Sequence, residues 1–131
     1  MSLYKPNRLR LALVRPLPQS FLKALSQHVP LIPIDGALAH QQHEHYSNLL
    51  RRHVSERITV PVDENHPDCC FIEDTAIVVG DVVVITRIGA ESRRDESKAV
   101  AKVFQDLSER GFGFQIHHLK EPACLDGGDV L

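Results

Sequence analysis

Carboxylates stand in this sequence where apolar β-strands are otherwise predicted, and they are the residues whose type and spacing could do chemistry. Glu73 and Asp74 interrupt an apolar run that opens on a turn with Asp68, and Asp126 begins a second such run. A carboxylate buried without a partner costs roughly several kcal/mol, so a cation usually matches it. The planar donors of a guanidinium pair bidentately with carboxylates. Convergent acids therefore predict a site for a delocalised cation, although each acid taken singly could instead cap a turn or a helix.

Two further motifs accompany these acids. Arg93 and Arg94 follow Ser92 at the N-terminal end of a predicted helix, where the helix dipole disfavours cations. Holding a substrate carboxylate would explain their position, and so would a simple solvated pair. The pair Gly127-Gly128 fits a close approach of the backbone to a ligand, or a bulge.

The cysteines and histidines give weaker signals. Cys69, Cys70 and Cys124 form no CxxC pair, and their odd number is typical of buried thiols in a reducing compartment. The histidines at positions 40, 43 and 45 could be imagined as metal ligands on one helix. Their polar neighbours favour a solvated face instead, and no metal is predicted.

Composition excludes several classes of protein. The chain has 131 residues, of which 43% are hydrophobic and 24% charged, and its formal net charge is −2. These values are typical of one globular domain and give no electrostatic footprint for nucleic acid or an anionic membrane. No apolar run approaches the roughly 20 residues of a membrane span, and the first apolar run is too short for a signal peptide. We therefore expect a cytoplasmic protein that binds neither nucleic acid nor membrane.

The elements that must position these residues read as a mixed α/β fold. Strands are predicted at 9–17, 58–62, 71–79, 82–86 and 112–117, with a last strand beginning at 125, and helices at 37–56 and 92–111. Residues 19–28 predict a short helical turn, and the prolines of 29–34 an extended segment. Gly80-Asp81 between two β-branched runs is typical of a hairpin. Ser92 is predicted to cap the second helix, whose apolar face should cover the sheet.

A weak internal repeat organises these elements. The apolar–acidic step at Ile72-Glu73 recurs at Leu125-Asp126, about 54 residues later, and each copy reads as strand, strand, helix, strand. The chain ends within the first strand of the next copy. The pattern predicts part of a larger repeat fold.

Three spaced motifs resemble one family. The runs PDCCFIEDTAIV (67–78), ITRIGAESRR (85–94) and LDGGDVL (125–131) resemble dimethylarginine dimethylaminohydrolase, of the guanidino-group-modifying enzymes, and ALVRPLPQS (12–20) fits its first strand and lid region. The resemblance implies a partial five-fold α/β propeller with about two and a half strand–helix repeats. Residues 1–131 would be the N-terminal part of a single catalytic domain.

The resemblance also implies roles for individual residues. Asp68 and Arg93 match positions that contact the amino-acid end of the substrate. Glu73 and Asp74 match the acidic pair, with Asp74 similar to a clamp on the guanidinium nitrogens. Asp126 is similar to the orienting acid near the guanidinium and the catalytic His. The segment near Leu25-Ser26 falls close to the flexible lid, and its sequence departs from the family there.

The implied reaction hydrolyses methylated arginine to citrulline and a methylamine, without metal or organic cofactor. A Cys thiolate attacks the guanidinium carbon, and a His protonates the leaving amine. None of the three cysteines matches that nucleophile, and neither His117 nor His118 matches the catalytic His. The chain alone should therefore be catalytically incomplete.

Two alternatives remain. A non-catalytic module could use the same acids to bind arginine derivatives, or use an exposed strand edge to recruit a second copy or a C-terminal half. A fragment of an arginine deiminase or amidinotransferase would share the acidic pattern.

Overall fold

The computed structural model describes residues 10–26 and 30–131. Within these ranges the main elements are β1 (Leu11–Val14), α1 (Gly36–Leu50), β2 (Glu56–Thr59), β3 (Ala76–Val79), β4 (Val82–Ile85), α2 (Glu96–Leu107) and β5 (Gln115–His118). The predicted mixed α/β class is confirmed. The parts of the predicted elements at residue 9 and at 27–29 lie outside the described residues. None of the helices in these ranges is long and apolar enough to cross a membrane.

The strands form two small sheets. In the first, β1 pairs in parallel with β2, with Leu11 opposite Glu56. In the second, the order is β3-β4-β5, with β3 antiparallel to β4 and β4 parallel to β5. Parallel neighbours need a crossover connection, and α1 and α2 supply the two that occur.

The predicted hairpin between β3 and β4 is confirmed. Val79 pairs with Val82, which leaves Gly80 and Asp81 as a two-residue turn. Gly80 has a φ of 65°, in the left-handed region that glycine adopts without a steric penalty.

The core lies between α2 and the sheets. Val100, Phe104 and Leu107 are buried on one face of α2, at the spacing of an amphipathic helix. They form one cluster with Val60, Val83 and Ile85. The predicted sheet-facing side of this helix is confirmed, and this packing holds the turn that precedes α2.

Helix α1 is shorter and more exposed than its apolar residues indicated. It begins where the Asp35 carboxylate accepts a hydrogen bond from the Leu38 amide at 3.0 Å, and it ends at Leu50 rather than at 56. The reason is that Glu56 already pairs with β1. Tyr46 is 56% exposed, so this helix contributes little to the core.

The last predicted strand is not formed. Gly127–Asp129 make a 3-10 turn, and Val130 follows it without strand pairing. A β-strand needs a neighbour that completes its ladder, and no described strand pairs with this segment. The segment is fixed instead by contacts with the turn at Ile72–Thr75.

Candidate functional site

Glu73 and Asp74 lie on a turn and not within a strand, so the predicted strand over 71–79 is wrong in its first half. Residues Ile72–Thr75 form a 3-10 turn, called the acidic turn below, and β3 begins at Ala76. Thr75 is fully buried, and its hydroxyl donates to the Ile72 carbonyl at 2.6 Å. A turn at the rim leaves its carboxylates free of the strand ladder, which is why two acids are tolerated directly before a buried sheet.

The start of α2 differs from the prediction in a way that places Arg93. A 3-10 turn over Glu91–Arg93 precedes the helix, and Asp95 is the N-cap residue, so Ser92 is not the cap. Arg93 therefore stands before the helix and not within its first turn. Its side chain is directed back to the acidic turn, where the contacts below hold it.

Arg93 is the centre of an ion-pair cluster. Its Nη1 donates to the Asp74 carboxylate at 2.8 Å, and its Nε and Nη2 donate to the Glu96 carboxylate at 2.9–3.2 Å. Nη2 also reaches the carbonyls of Asp68 and Phe71, at 3.5 and 3.4 Å. Burial lowers the pKa of Arg93, but the hydrogen bonds that Arg93 donates to Glu96 and Asp74 outweigh burial and raise it overall. Arg93 is therefore a fixed cation and not a solvated side chain.

Glu96 belongs to this cluster as well, although no sequence motif indicated it. Its side chain has no solvent exposure, and burial raises its pKa against the opposing hydrogen bonds and charge of Arg93. An acid in the first turn of a helix looks like an ordinary complement to the dipole. The signal that could have found it is the spacing of three residues from Arg93, which brings two side chains together on one helical turn.

Asp68 is buried and connects the acidic turn to the segment around residue 25. It is 5% exposed, and its two carboxylate oxygens accept from the Leu25 amide at 3.0 and 3.1 Å. Glu73 is exposed and, within the described residues, makes no hydrogen bond or ion pair through its carboxylate. Asp68 is thus already engaged by the chain, whereas Glu73 remains available to a ligand.

The two glycines after Asp126 pack directly on the acidic turn, and Asp126 itself contacts Gly89. The Asp126 carboxylate accepts from the Gly89 amide at 2.8 Å, and the Gly128 amide donates to Asp74 at 3.2 Å. A Cβ on Gly127 would lie closer than 3.0 Å to the Glu73 carbonyl oxygen. The close approach predicted for these glycines is therefore an approach to the chain itself, to backbone at Gly127 and to the Asp74 and Glu73 side chains at Gly128.

The three thiols do not share one environment. Cys69 and Cys70 are buried as expected, and burial raises the pKa of Cys69 and raises that of Cys70 to about 12. Cys124 is exposed, contrary to the prediction, and its Sγ accepts from Arg87 at 2.9 Å. Since the thiolate is the nucleophilic form, Cys69 and Cys70 are poorly suited to attack at neutral pH.

The histidines of α1 lie away from this cluster. His40 and His43 line a cavity of about 320 Å³ between α1 and the ends of β1 and β2. Burial, with a contribution from the neighbouring His40, lowers the pKa of His43. Over 10–26 and 30–131, no group of three or more His, Cys, Asp or Glu side chains is arranged to hold a metal ion.

The cluster has more acids than cations, which determines what it could bind. The carboxylates of Asp74 and Glu96 and the carbonyl of Asp68 surround Arg93, and Glu73 and Asp126 lie on the adjoining turns. A carboxylate has about four lone-pair positions, so Asp74 can accept further hydrogen bonds beyond Arg93 and Gly128. The arrangement therefore suits a cationic ligand with several N–H donors.

Comparison with known proteins identifies close relatives. No protein-family model matches the chain. It is 38% identical over 120 residues to an N(G),N(G)-dimethylarginine dimethylaminohydrolase of Streptomyces coelicolor, which covers 92% of this chain and 45% of that protein. A protein of the same name from Pseudomonas aeruginosa is 31% identical over 97 residues, with coverage of 74% and 37%. The chain thus spans less than half the length of these curated relatives.

Solved structures give the same relationship. The fold superposes with a TM-score of 0.78 on the Pseudomonas aeruginosa enzyme crystallised with citrulline, at 27% identity, covering 92% of this chain and 46% of that one. A dimethylarginine dimethylaminohydrolase adduct with S-methyl-L-thiocitrulline also gives a TM-score of 0.78. By sequence and by fold, the chain is similar to the dimethylarginine dimethylaminohydrolases, and the match of less than half their length fits the N-terminal half of those proteins.

Proposed function

We propose that this chain is the guanidinium-binding part of a hydrolase that converts N-omega-methylated arginines to citrulline and methylamines. The observation that carries the proposal is the contact between the acidic turn and the segment 126–128, which are far apart in sequence. The Gly128 amide donates to the Asp74 carboxylate, so the segment that carries Asp126 lies against the turn that carries Glu73. The named relatives act on dimethylarginine, and one of their structures holds citrulline.

Asp74 is proposed as the clamp on the guanidinium nitrogens. Its Oδ2 accepts from Arg93 and its Oδ1 from Gly128, so its plane is fixed before a ligand arrives. Pre-oriented acceptors avoid the ordering penalty that a mobile side chain would incur on binding. Glu73, which is exposed and unengaged, would add a second carboxylate to the same cation.

Asp68 and Arg93 are proposed to contact the amino-acid end of the substrate. The Asp68 carboxylate is already anchored on the Leu25 amide and retains acceptor capacity for an ammonium group. Arg93 would donate to the substrate carboxylate through the N–H group that is not bonded to Asp74 or Glu96. Asp126, held by the Gly89 amide, would orient the catalytic His.

We expect the nucleophilic Cys and the catalytic His to come from outside these 131 residues. The raised pKa values of Cys69 and Cys70 argue against a thiolate there, and Cys124 matches no nucleophile position. The complete catalytic domain is proposed to be a five-fold α/β propeller that acts in the cytoplasm and needs no metal or organic cofactor. An open strand edge would meet the C-terminal half or a second copy.

The test is calorimetric titration of the 131-residue chain with asymmetric dimethylarginine. We expect Asp74→Asn to weaken binding about tenfold or more, since charge-assisted hydrogen bonds are each worth about 1.5–3 kcal/mol. Asp106→Asn is the matched control, because Asp106 pairs with Lys102 on the exposed side of α2. Equal affinity of the Asp74→Asn variant and the wild type would contradict the assigned clamp.

A parallel assay measures citrulline release from asymmetric dimethylarginine. We expect none from the chain alone. Turnover that disappears in Cys124→Ser would show that a thiol of this chain does the chemistry, and the proposed external nucleophile would be wrong.

A further inference from the structure

We propose that Glu96 is a positioning residue, which fixes the Arg93 guanidinium and, through it, the Asp74 carboxylate in the orientation that a guanidinium ligand needs. This inference rests on the proposed function and goes beyond it. None of the sequence motifs assigned Glu96 a role. It is the most buried acid of the cluster, and its carboxylate is turned away from any place where a ligand could reach it.

Glu96 binds the Arg93 guanidinium along the edge formed by Nε and Nη2. Nε donates to both carboxylate oxygens, at 3.1 and 3.2 Å, and Nη2 donates to Oε2 at 2.9 Å. This edge-on pairing fixes the plane of the guanidinium as well as its position. The opposite nitrogen, Nη1, is thereby directed at Asp74.

Counting donors shows what remains of Arg93 for a ligand. A guanidinium has five N–H groups. Nε–H is taken by Glu96, the two of Nη2 are shared between Glu96 and the carbonyls of Asp68 and Phe71, and one of Nη1 goes to Asp74. A single N–H of Nη1 is left. Arg93 therefore meets a substrate carboxylate through one hydrogen bond and not through a bidentate pair.

Glu96 is itself held from the other sheet. Arg15 is 3% exposed, and its Nη1 donates to the Glu96 carbonyl at 3.2 Å while its Nε donates to the Pro61 carbonyl at 2.7 Å. Arg15 follows β1 and Pro61 follows β2, so the first turn of α2 is attached to the ends of both parallel strands. A series of hydrogen bonds thus connects the first sheet to Asp74 through Arg15, Glu96 and Arg93.

A stabilising role alone does not account for this arrangement. Burying an ion pair often contributes no more stability than packing apolar side chains of the same volume. Glu96 stands beside the core helix face, where an apolar residue would fit the pattern of α2. What the carboxylate adds is directionality, because a point contact or an apolar residue would let the guanidinium rotate away from Asp74.

The test compares Glu96→Gln with Glu91→Gln in the 131-residue chain. Glu91 pairs with Arg94 at the same spacing of three residues, but its side chain is 84% exposed, which makes it a matched control. The first measurement is the proton–nitrogen NMR signal of the Arg93 Nε–H. We expect this signal to be protected in the wild type and in Glu91→Gln, and to exchange at least about tenfold faster in Glu96→Gln. Unchanged exchange in a folded Glu96→Gln variant would overturn the proposal.

The second measurement is ligand affinity, with asymmetric dimethylarginine and with N,N-dimethylguanidine, which has no carboxylate. If Glu96 acts through Arg93 on Asp74, Glu96→Gln weakens both ligands by about tenfold or more, and Glu91→Gln neither. A loss confined to dimethylarginine would mean that Asp74 keeps its orientation without Glu96, and the inferred relay to Asp74 would be wrong.

Two further outcomes keep the test decisive. If Glu96→Gln does not fold, Glu96→Asp retains the charge, and we expect it to fold and to lose part of the Nε–H protection because its carboxylate is one methylene shorter. Full protection in that variant would overturn the proposed geometry. If the wild type binds neither ligand, the proposed function fails. The exchange of the Arg93 Nε–H then still decides whether Glu96 positions Arg93.

Discussion

Replacing Gly127 by alanine tests the contact that joins the two acidic segments. A Cβ at this position would lie closer than 3.0 Å to the Glu73 carbonyl oxygen and 3.0 Å from the Ala76 carbonyl oxygen. Both neighbours are backbone atoms, so no side-chain rotation relieves the overlap. The segment 126–128 must move away from the acidic turn.

The expected magnitude follows from that displacement. Overpacking that shifts a backbone costs about 1–3 kcal/mol. The segment is held by the amide hydrogen bond from Gly128 to Asp74, by the Gly89 amide on Asp126, and by the Leu125 amide on the Arg87 carbonyl at 2.9 Å. None of these bonds lies within the core cluster. We therefore expect the free energy of local detachment to fall by about 2 kcal/mol, and the free energy of global unfolding to fall by less.

The assay combines urea unfolding with amide NMR of Gly89 and Gly128. We expect both amides to lose their hydrogen-bonded shifts in Gly127→Ala, and Asp74 to bind dimethylarginine more weakly. Gly36→Ala, away from both segments, is the control for stability, because its Cβ would meet its nearest neighbour, Leu22, at an ordinary 3.7 Å. Unchanged amide shifts in Gly127→Ala would refute the close packing of the two segments.

Three further predictions concern individual side chains. In a complete enzyme that contains these residues, Asp74→Asn should raise KM for dimethylarginine or abolish turnover, and unchanged steady-state kinetics would contradict the clamp. A thiol reagent such as Ellman's should modify Cys124 in the folded chain and reach Cys69 and Cys70 only after unfolding, because burial raises their pKa; fast modification of all three would contradict this. The pKa of Asp63 lies below its ordinary 3.8, because its carboxylate accepts hydrogen bonds from the Asn65 amide and then from the His66 side chain. The stability that these contacts give the folded chain is therefore present above that pH and is lost as the pH falls through the lower pKa of the folded state. Asp63→Asn should reduce the free energy of unfolding by about 1 kcal/mol at neutral pH, with a difference that shrinks in acid; a difference independent of pH would contradict the linkage.

Local patterns predicted the elements of this fold better than their boundaries. The hairpin at Gly80-Asp81 and the buried face of α2 depend on residues a few positions apart, and both were predicted correctly. The strand expected at 125 failed because a strand is defined by its neighbour. Helix α1 ended early for a related reason, since pairing of Glu56 with Leu11 competes with helix propagation.

In the candidate site, too, local patterns predicted some residues, and contacts between distant residues decided the rest. Acids in apolar runs marked Glu73, Asp74 and Asp126 and predicted that the two segments converge, and the Gly128 amide donates to Asp74 as that convergence requires. The sequence did not reveal Glu96, because an acid in the first turn of a helix is common and carries no sign of burial. It also left open whether Arg93 was solvated or paired, which only its tertiary contacts decide.

The sequence by itself determined the α/β class, the hairpin, the amphipathic α2 and the family to which the chain is related, because each is written in the type and spacing of nearby residues or in motifs shared with relatives. Tertiary structure decided that the acids lie on turns, that two glycines allow those turns to touch, and that Glu96 holds Arg93 against Asp74. These features depend on burial and on contacts between distant residues. Burial holds charged side chains such as Glu96 and Arg93 in one position, and burial is a property of the folded chain.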